Sequence, residues 1–281
     1  MTRYPEGTLM ILITGATGAI GRHLLRTLTA AGEPVRAVTR GAPLPGADCV
    51  RTVRDGLAGA TGLFLHPRVA GEDAPAILAA ARAAGVRRVV ALTALNVGDP
   101  EEQQPSRYAG DRNKELDLAT RDSGMAWTCL RPASFAGNAA RAFGPQVRAG
   151  ATVRYPFRAF EESLVDERDV AEVAARALRD DTLAGRVLEL TGPQSLTHGE
   201  QVATIGAVLR RPLTFEEVPA QVAAWRLTVA GLPERFAGAL MERYERHLAA
   251  PQHPPTGVVD EVLGRPATPF ATWVADHADA F

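Results

Sequence analysis

The chain has 281 residues, of which 46% are hydrophobic and 22% charged, and this is the composition of an ordinary globular protein with a sizeable core. Lysine and arginine total 31 against 32 acidic residues, so the net charge of −1 indicates no basic surface for nucleic acid. Cys49 and Cys129 form neither a metal-ligand spacing nor a disulfide framework, and the apolar run near the N-terminus is too short for a signal peptide or a membrane span. We therefore expect a cytoplasmic protein with no metal site, no membrane partner and no direct contact with nucleic acid.

The first half of the chain alternates short apolar runs with patterns of helical period. Strands are predicted at residues 10–14, 35–39, 49–53, 63–65, 88–93 and 126–130. Helices are predicted at residues 19–31, 72–84 and 107–122, the first ended by Gly32 and Pro34. Because helical segments separate the strands, the pattern predicts an α/β fold of the Rossmann type, a doubly wound parallel sheet with helices on both faces.

The second half mixes helices with isolated strands. An amphipathic helix is predicted at 165–178, a strand at 187–190, and a further helix opened by a capping box of Thr197 and Glu200. A strand at 213–218, an apolar helical stripe from Phe236 to Leu248 and a proline-rich loop at 251–256 follow. We expect residues 1–150 to form a dinucleotide-binding domain, and residues 151–281 to form mainly a smaller α/β substrate lobe that is partly interleaved with it.

A glycine motif lies between the first predicted strand and the first predicted helix. Gly15, Gly18 and Gly21 form the pattern GxxGxxG within LMILITGATGAIGRHLL (9–25). Gly15 permits a tight turn, Gly18 lets the backbone approach a pyrophosphate, and Gly21 lets the helix pack closely on the sheet. Free N–H groups at the helix start and the helix dipole then favour phosphate binding, so the segment predicts a dinucleotide site.

The end of the second strand indicates which dinucleotide binds. NAD-binding proteins usually place Asp or Glu here to hold the ribose 2′-hydroxyl, whereas VRAVTRG (35–41) has Thr39 and Arg40. A guanidinium suits a 2′-phosphate with nearly two negative charges, so the sequence predicts NADPH (NADP+) as cofactor. The alternative is a solvated surface arginine.

These segments resemble the NmrA-like family of atypical short-chain dehydrogenases/reductases, and the resemblance covers nearly the whole chain. The segments that carry it are ITGATGAIGRHLL (13–25), GEPVRAVTR (32–40), ARAAGVRRVVALTA (81–94), SGMAWTCLRPASFAGN (123–138), SLVDERDVAEVAARAL (163–178), VLELTGPQSLT (187–197) and LGRPATPFATWVADH (263–277). The family implies a Rossmann-type domain, a smaller C-terminal substrate lobe and an NAD(P) ligand.

The sequence departs from the family pattern in three places. CVRTVRDGLAGATGLFL (49–65) is too short for a full helical crossover and has Thr52 and Val53 where relatives carry an acid. The fifth strand ends in LTALN, where many relatives have paired serines and where Thr93 supplies one hydroxyl. No Tyr-x-x-x-Lys dyad is present, because Lys114, the only lysine, follows Tyr108 by six residues.

The resemblance assigns roles to further residues. Cofactor contacts are expected from Gly15, Thr17, Gly18, Ala19, Ile20, Gly21, Thr39, Arg40, His66, Pro67 and Pro132. Phe135 and Asn138 are expected to face the substrate, and the candidate catalytic residues are Tyr108, Asn113, Lys114 and Thr93. Trp225, Phe236 and Met241 either roof the pocket or pack in the core. A polar helix face at Asn113 and Lys114, and a half-exposed ring at Tyr108, are the structural alternatives.

Together these features predict a reductase that transfers hydride from NADPH to a small conjugated or carbonyl compound, such as a quinone, an enone or a polyketide-like ketone. A weak acid–base set is compatible with this activity, since the cofactor carries the chemistry. Two alternatives remain open: a catalytically silent NAD(P)-binding redox sensor of the NmrA type, and a non-redox isomerase or lyase on the same fold. The protein is expected to be a monomer or a homodimer.

Overall fold

The computed structural model describes residues 10–248 and 254–281. The prediction that the chain lacks a signal peptide rests on the N-terminal segment, which begins outside the described residues. The first part of the predicted loop at 251–256 also lies outside them. The chain divides into two compact units. Unit 1 comprises the described residues through Val97 together with Arg112–Arg131 and Val170–Leu188, and unit 2 comprises Gly98–Asp111, Pro132–Asp169 and the described residues from Glu189 onwards.

The strands of the described chain are β1 (Ile11–Ile13), β2 (Val35–Val38), β3 (Asp48–Val50), β4 (Gly62–Leu65), β5 (Arg88–Leu92), β6 (Ala126–Pro132), β7 (Thr152–Tyr155), β8 (Glu161–Glu162), β9 (Arg186–Leu190), β10 (Leu196–Thr197) and β11 (Thr214–Glu217).

The helices of the same residues are α1 (Ala19–Ala30), α2 (Val53–Gly56), α3 (Pro67–Ala70), α4 (Ala74–Ala83), α5 (Asn113–Arg121), α6 (Gly137–Ala149), α7 (Glu167–Ala177), α8 (His198–Val208), α9 (Ala220–Val229), α10 (Glu234–His247), α11 (Val258–Leu263) and α12 (Phe270–Asp276). No helix of the described ranges is both long and apolar enough to cross a membrane.

A seven-stranded sheet has the order β3-β2-β1-β4-β5-β6-β9. Its first six strands pair in parallel, with registers such as Ile11↔Val35 and Ile11↔Gly62. Strands β1 and β4 are buried along their whole length, as expected for parallel strands covered by helices on both faces. The order reverses beside β1, which is the arrangement of a Rossmann-type fold, so the predicted fold class is confirmed.

The first helix follows its sequence pattern. Ile20, Leu24 and Leu28 are buried at helical spacing on α1, which begins at Ala19 as predicted. The short crossover after the third strand is also confirmed, because α2 consists of a single turn of four residues. That strand ends earlier than predicted, at Val50, because the Thr52 hydroxyl accepts a hydrogen bond from the Asp55 amide and caps α2.

The predicted helix at 107–122 is wrong in its first part. Pro105–Ala109 form a separate 3₁₀ helix, and Gly110 adopts a left-handed conformation with φ of 97°. The α-helix therefore begins only at Asn113. Similarly, the predicted helix at 72–84 is divided between a 3₁₀ turn at Gly71–Asp73 and α4.

Unit 2 contains two small sheets and most of the remaining helices. Strands β7 and β11 pair in parallel, whereas β8 and β10 pair in antiparallel orientation. Helices α6, α8 and α12 contribute Phe143, Ile205 and Trp273 to one apolar cluster. The predicted capping box is confirmed, since the Thr197 hydroxyl accepts from the Glu200 amide while the Glu200 carboxylate accepts from the Thr197 amide.

Candidate functional site

The glycine loop joins the carboxyl end of β1 to α1. Gly15 has φ of 65°, a left-handed conformation that favours glycine, and the Gly18 amide donates to the Gly15 carbonyl oxygen at 2.9 Å. Gly18 is the N-cap of α1 and supplies no side-chain hydrogen bond to the first helical turn. The amide groups at the start of α1 are therefore available to an anionic ligand.

The spacing of the loop backbone tests whether a dinucleotide fits here. A Cβ atom on Gly21 would lie 2.1 Å from the Gly15 carbonyl oxygen and 2.7 Å from the Cα of Ala16, so only glycine lets α1 pack this closely. A Cβ atom on Gly18 would meet only the Gly15 oxygen, at 3.2 Å, and Gly18 is exposed. The loop thus presents an open backbone at Gly18, as the close approach of a pyrophosphate requires.

His66 lies against this loop from the end of β4. Its backbone amide donates to the Thr14 hydroxyl at 2.8 Å, and its Nδ1 accepts from the Arg68 amide at 3.2 Å. A Cβ atom on Gly15 would lie 3.0 Å from the Cδ2 atom of His66. Pro67 is buried in the first turn of α3. The structure therefore brings His66 and the glycine loop together at the carboxyl edge of the sheet.

Thr39 and Arg40 lie beyond the end of β2 at the same edge. Thr39 is buried, and its hydroxyl accepts from the Gly41 amide at 3.1 Å, which shapes the turn after the strand. Arg40 is exposed. The position that would carry the ribose-binding acid of an NAD site is thus occupied by a cationic side chain facing solvent.

Thr93 and Asn113, two candidate catalytic residues of unit 1, are buried. The Thr93 hydroxyl donates to the Leu130 carbonyl oxygen at 2.9 Å, so its proton is engaged by the backbone. Asn113 is buried in the first turn of α5, and Lys114 is half-buried beside it. Thr93 therefore offers the substrate or cofactor only acceptor lone pairs while this hydrogen bond persists.

An ion pair that the sequence pattern did not reveal anchors α5. The carboxylate of Asp117, one helical turn after Asn113, is buried and accepts two hydrogen bonds of 2.9 Å from Arg131 on β6. The bidentate geometry fixes the rotation of α5 on the sheet. The only sequence signal for this ion pair is an acidic residue at a position where the helical pattern would place an apolar one.

Tyr108 lies in unit 2, on the 3₁₀ helix that precedes Gly110. Its ring is half-buried, and its hydroxyl donates to the Glu102 carbonyl oxygen at 3.2 Å. Tyr108 therefore lies before the α-helix that carries Asn113 and Lys114, and Gly110 separates the two segments.

The predicted substrate residues lie in the segment that follows β6. Pro132 is buried at the end of that strand, and half-buried Phe135 forms an isolated bridge with Val165. Asn138 is exposed at the start of α6, and its side-chain oxygen accepts from Arg141 at 3.3 Å. Met241 is buried as expected of a core residue, but Trp225 has 64% of its surface exposed.

Unit 2 also contains a buried aromatic cluster around His198 that the sequence analysis did not single out. The rings of Tyr155, Phe160 and Tyr244 lie within 5.0 Å of the His198 ring, centroid to centroid. The His198 Nδ1 lies 3.1 Å from the carbonyl oxygens of Pro156 and Phe157, and since carbonyls only accept, this nitrogen carries the proton. Burial lowers the pKa of His198 and raises the pKa of Tyr155 to about 12.

Comparison with known proteins places this geometry in a family. A family described as NAD(P)H-binding matches residues 43–181, and the NAD dependent epimerase/dehydratase family matches residues 11–56. A (4-alkanoyl-5-oxo-2,5-dihydrofuran-3-yl)methyl phosphate reductase from Streptomyces griseus is 37% identical over 97% of this chain and 99% of its own length. An NAD(P)H azoreductase from Xenophilus azovorans is 30% identical, also over 97% of this chain and 99% of its own length.

The chain belongs to the NmrA-like family of atypical short-chain dehydrogenases/reductases. It is an NAD(P)H-dependent oxidoreductase. Solved structures share the fold: an NADPH-dependent quinone oxidoreductase from Escherichia coli has a TM-score of 0.79 at 22% identity, covering 95% of this chain and 99% of its own. NmrA, a negative transcriptional regulator in complex with NAD, has a TM-score of 0.76 at 15% identity, covering 97% of this chain and 96% of its own.

Proposed function

We propose that this family member is an NADPH-dependent reductase of small conjugated acceptors, in which hydride is transferred to an enone, a quinone or a polyketide-like ketone. The observation that carries the substrate class is the relative with 37% identity over almost the full length of both chains. Its name describes an unsaturated lactone whose double bond is conjugated with the ring carbonyl and an alkanoyl group. We favour an acyl-substituted enone over a simple ketone for this reason.

The glycine loop and the ends of β1, β2 and β4 would hold the cofactor. First-turn amides of α1, with Thr17, Gly18, Ala19, Ile20 and Gly21 around them, suit the pyrophosphate, and Thr39 and Arg40 suit a 2′-phosphate. His66, Pro67 and Pro132 would border the remainder of the cofactor. When bound, NADPH supplies the hydride, and the protein supplies position and electrostatics.

The proposed roles of the catalytic residues follow from their donors and acceptors. The phenol of Tyr108 can donate a proton to the oxygen of a carbonyl acceptor, whereas Asn113 can only orient that oxygen or a ribose hydroxyl through its amide. Lys114 adds a positive charge beside Asn113, and Thr93 offers an acceptor. Phe135 and Asn138 would contact the acceptor molecule.

The experiment is a steady-state assay of NADPH oxidation with three acceptors of similar size: an acyl butenolide, a quinone and an unconjugated ketone. The expected order of kcat/KM is conjugated acceptors above the ketone, with NADPH preferred over NADH. The Gly18→Val variant should lose NADPH binding, because its branched side chain would fill the space beside the Gly18 backbone that the pyrophosphate needs. Circular dichroism checks that this variant is folded. A cofactor sensor, an isomerase or a lyase would consume no NADPH with any acceptor, and that result would overturn the proposal.

A further inference from the structure

Two arginines follow adjacent strands at the carboxyl edge of the sheet in unit 1. Strand β2 pairs in parallel with β3, with Val38 opposite Val50 as the last pair of the register. Arg40 and Arg51 therefore come just after the points where the two neighbouring strands end. Open α/β sheets bind their ligands outside these strand ends.

The side chain of Arg51 is held against the backbone at Arg40. Its Nη1 donates to the Arg40 carbonyl oxygen at 2.5 Å, although both residues are exposed. A guanidinium has five N–H donors in a planar fork, so this one bond locates the group and leaves the other donors available. Arg51 is thus a positioned cation at the turn after β2.

The acidic residues nearest to Arg51 in the sequence have other hydrogen-bond or ion-pair partners. The Asp48 carboxylate pairs with Arg36 at 2.8 Å, and the Asp55 carboxylate accepts from the Thr52 hydroxyl at 2.7 Å. Within the described ranges, neither Arg40 nor Arg51 forms an ion pair with a carboxylate. Two uncompensated positive charges at one edge repel each other, and a dianion bound between them would relieve this repulsion.

The single-turn crossover leaves this edge open. Because Thr52 already caps α2, Arg51 lies between the end of β3 and the helix, and both Arg51 and Thr52 are exposed. A phosphate monoester carries close to two negative charges, and the planar fork of arginine matches its oxygens in a bidentate manner.

We propose that Arg51 acts together with Arg40 on the ribose 2′-phosphate, which makes Arg51 a second specificity-determining residue for NADPH. The inference rests on the proposed NADPH-dependent function. It adds a residue that directly follows the third strand to a role that the sequence pattern assigned only to the end of the second.

The test measures dissociation constants of the full-length protein for NADPH, NADH, adenosine 2′,5′-bisphosphate and 5′-AMP by titration calorimetry. Arg51→Gln removes the charge but keeps an amide that can donate to the Arg40 carbonyl, and Arg51→Ala removes both. Arg54→Ala is the matched control, because Arg54 is exposed only three residues later on α2. Circular dichroism checks that each variant keeps the wild-type fold.

In both Arg51 variants the dissociation constants for NADPH and the bisphosphate should rise about tenfold, which is the effect of losing one charge-assisted contact. The dissociation constants for NADH and 5′-AMP should change less than about twofold. Arg54→Ala should change all four less than about twofold. An unchanged ratio of NADPH to NADH affinity in both Arg51 variants overturns this inference alone, as does an equal loss for all four ligands. A wild-type protein that binds NADH as tightly as NADPH overturns the proposed cofactor preference as well.

Discussion

The glycine loop of unit 1 and the Tyr108 segment of unit 2 are both shaped by glycines, but for different reasons. In the loop, Gly21 is required because any side chain would collide with the Gly15 backbone, so the motif alone determines its conformation. In the Tyr108 segment, Gly110 with φ of 97° only ends the 3₁₀ helix. This 3₁₀ helix packs against α10, and the phenol hydroxyl of Tyr108 donates to the Glu102 carbonyl oxygen. A steric motif can therefore be recognised in sequence more readily than a candidate proton donor.

The largest expected effect tests the steric requirement for glycine in the loop. Gly21→Ala should lower the free energy of unfolding by about 3 kcal/mol or more, because its Cβ would lie 2.1 Å from a backbone oxygen that cannot move away cheaply. Urea denaturation measures the loss. Gly18→Ala is the control and should lose clearly less stability, since its Cβ would have one contact, with the Gly15 oxygen at 3.2 Å. Equal stability of the two alanine variants would contradict the steric account.

The next effect tests the Tyr108 segment. Tyr108→Phe should lower kcat with a carbonyl acceptor by about 10²-fold, if the phenol is the general acid, and leave the dissociation constant for NADPH unchanged. Tyr155→Phe is the control, because this hydroxyl is buried and bonded to Tyr244 at 3.3 Å. Steady-state kinetics and cofactor titration distinguish the two variants. Full activity of Tyr108→Phe would remove Tyr108 from the site but leave the reductase function intact.

A smaller effect concerns the end of β2 beside the glycine loop. Arg40→Ala should weaken NADPH binding about tenfold and leave NADH nearly unchanged, because the exposed guanidinium is expected to contact only the 2′-phosphate. Fluorescence titration with both cofactors measures the change. Arg22→Ala, on the exposed face of α1, serves as the control. A parallel loss for both cofactors would show that Arg40 shapes the loop instead of selecting the phosphate.

The smallest effect concerns pH and the aromatic cluster of unit 2. Burial lowers the pKa of His198 in the folded protein, while Glu162 on β8 opposes this shift and Arg243 on α10 adds to it. As the pH falls below about 6.5, the unfolded chain binds a proton on this histidine that the folded chain does not, so stability should decrease. Urea unfolding at several pH values should show a weaker decrease for His198→Gln. Identical pH profiles for the variant and the wild type would contradict this account.

Several elements could be predicted because their signals are local. Strands β1 and β4 are short apolar runs between glycine and polar residues, and the period of α1 matches its buried face at Ile20 and Leu24. The third strand was predicted too long because the capping hydrogen bond of Thr52 competes with a run of β-branched residues. Helices α6 and α9 were missed, since the first contains Pro145 within it and the second lacks a strong apolar stripe.

The sequence by itself determined the fold class, the conformation of the glycine loop and the family, because strand and helix periods and the steric needs of closely spaced glycines act between neighbouring residues. Only the tertiary structure decided which partners the polar groups find. It brings Arg51 to a carbonyl eleven residues away and His66 to Thr14, 52 residues away. It also surrounds His198 with aromatic rings from β7 and α10. These contacts join residues that are distant along the chain, and their geometry is set by how whole elements pack.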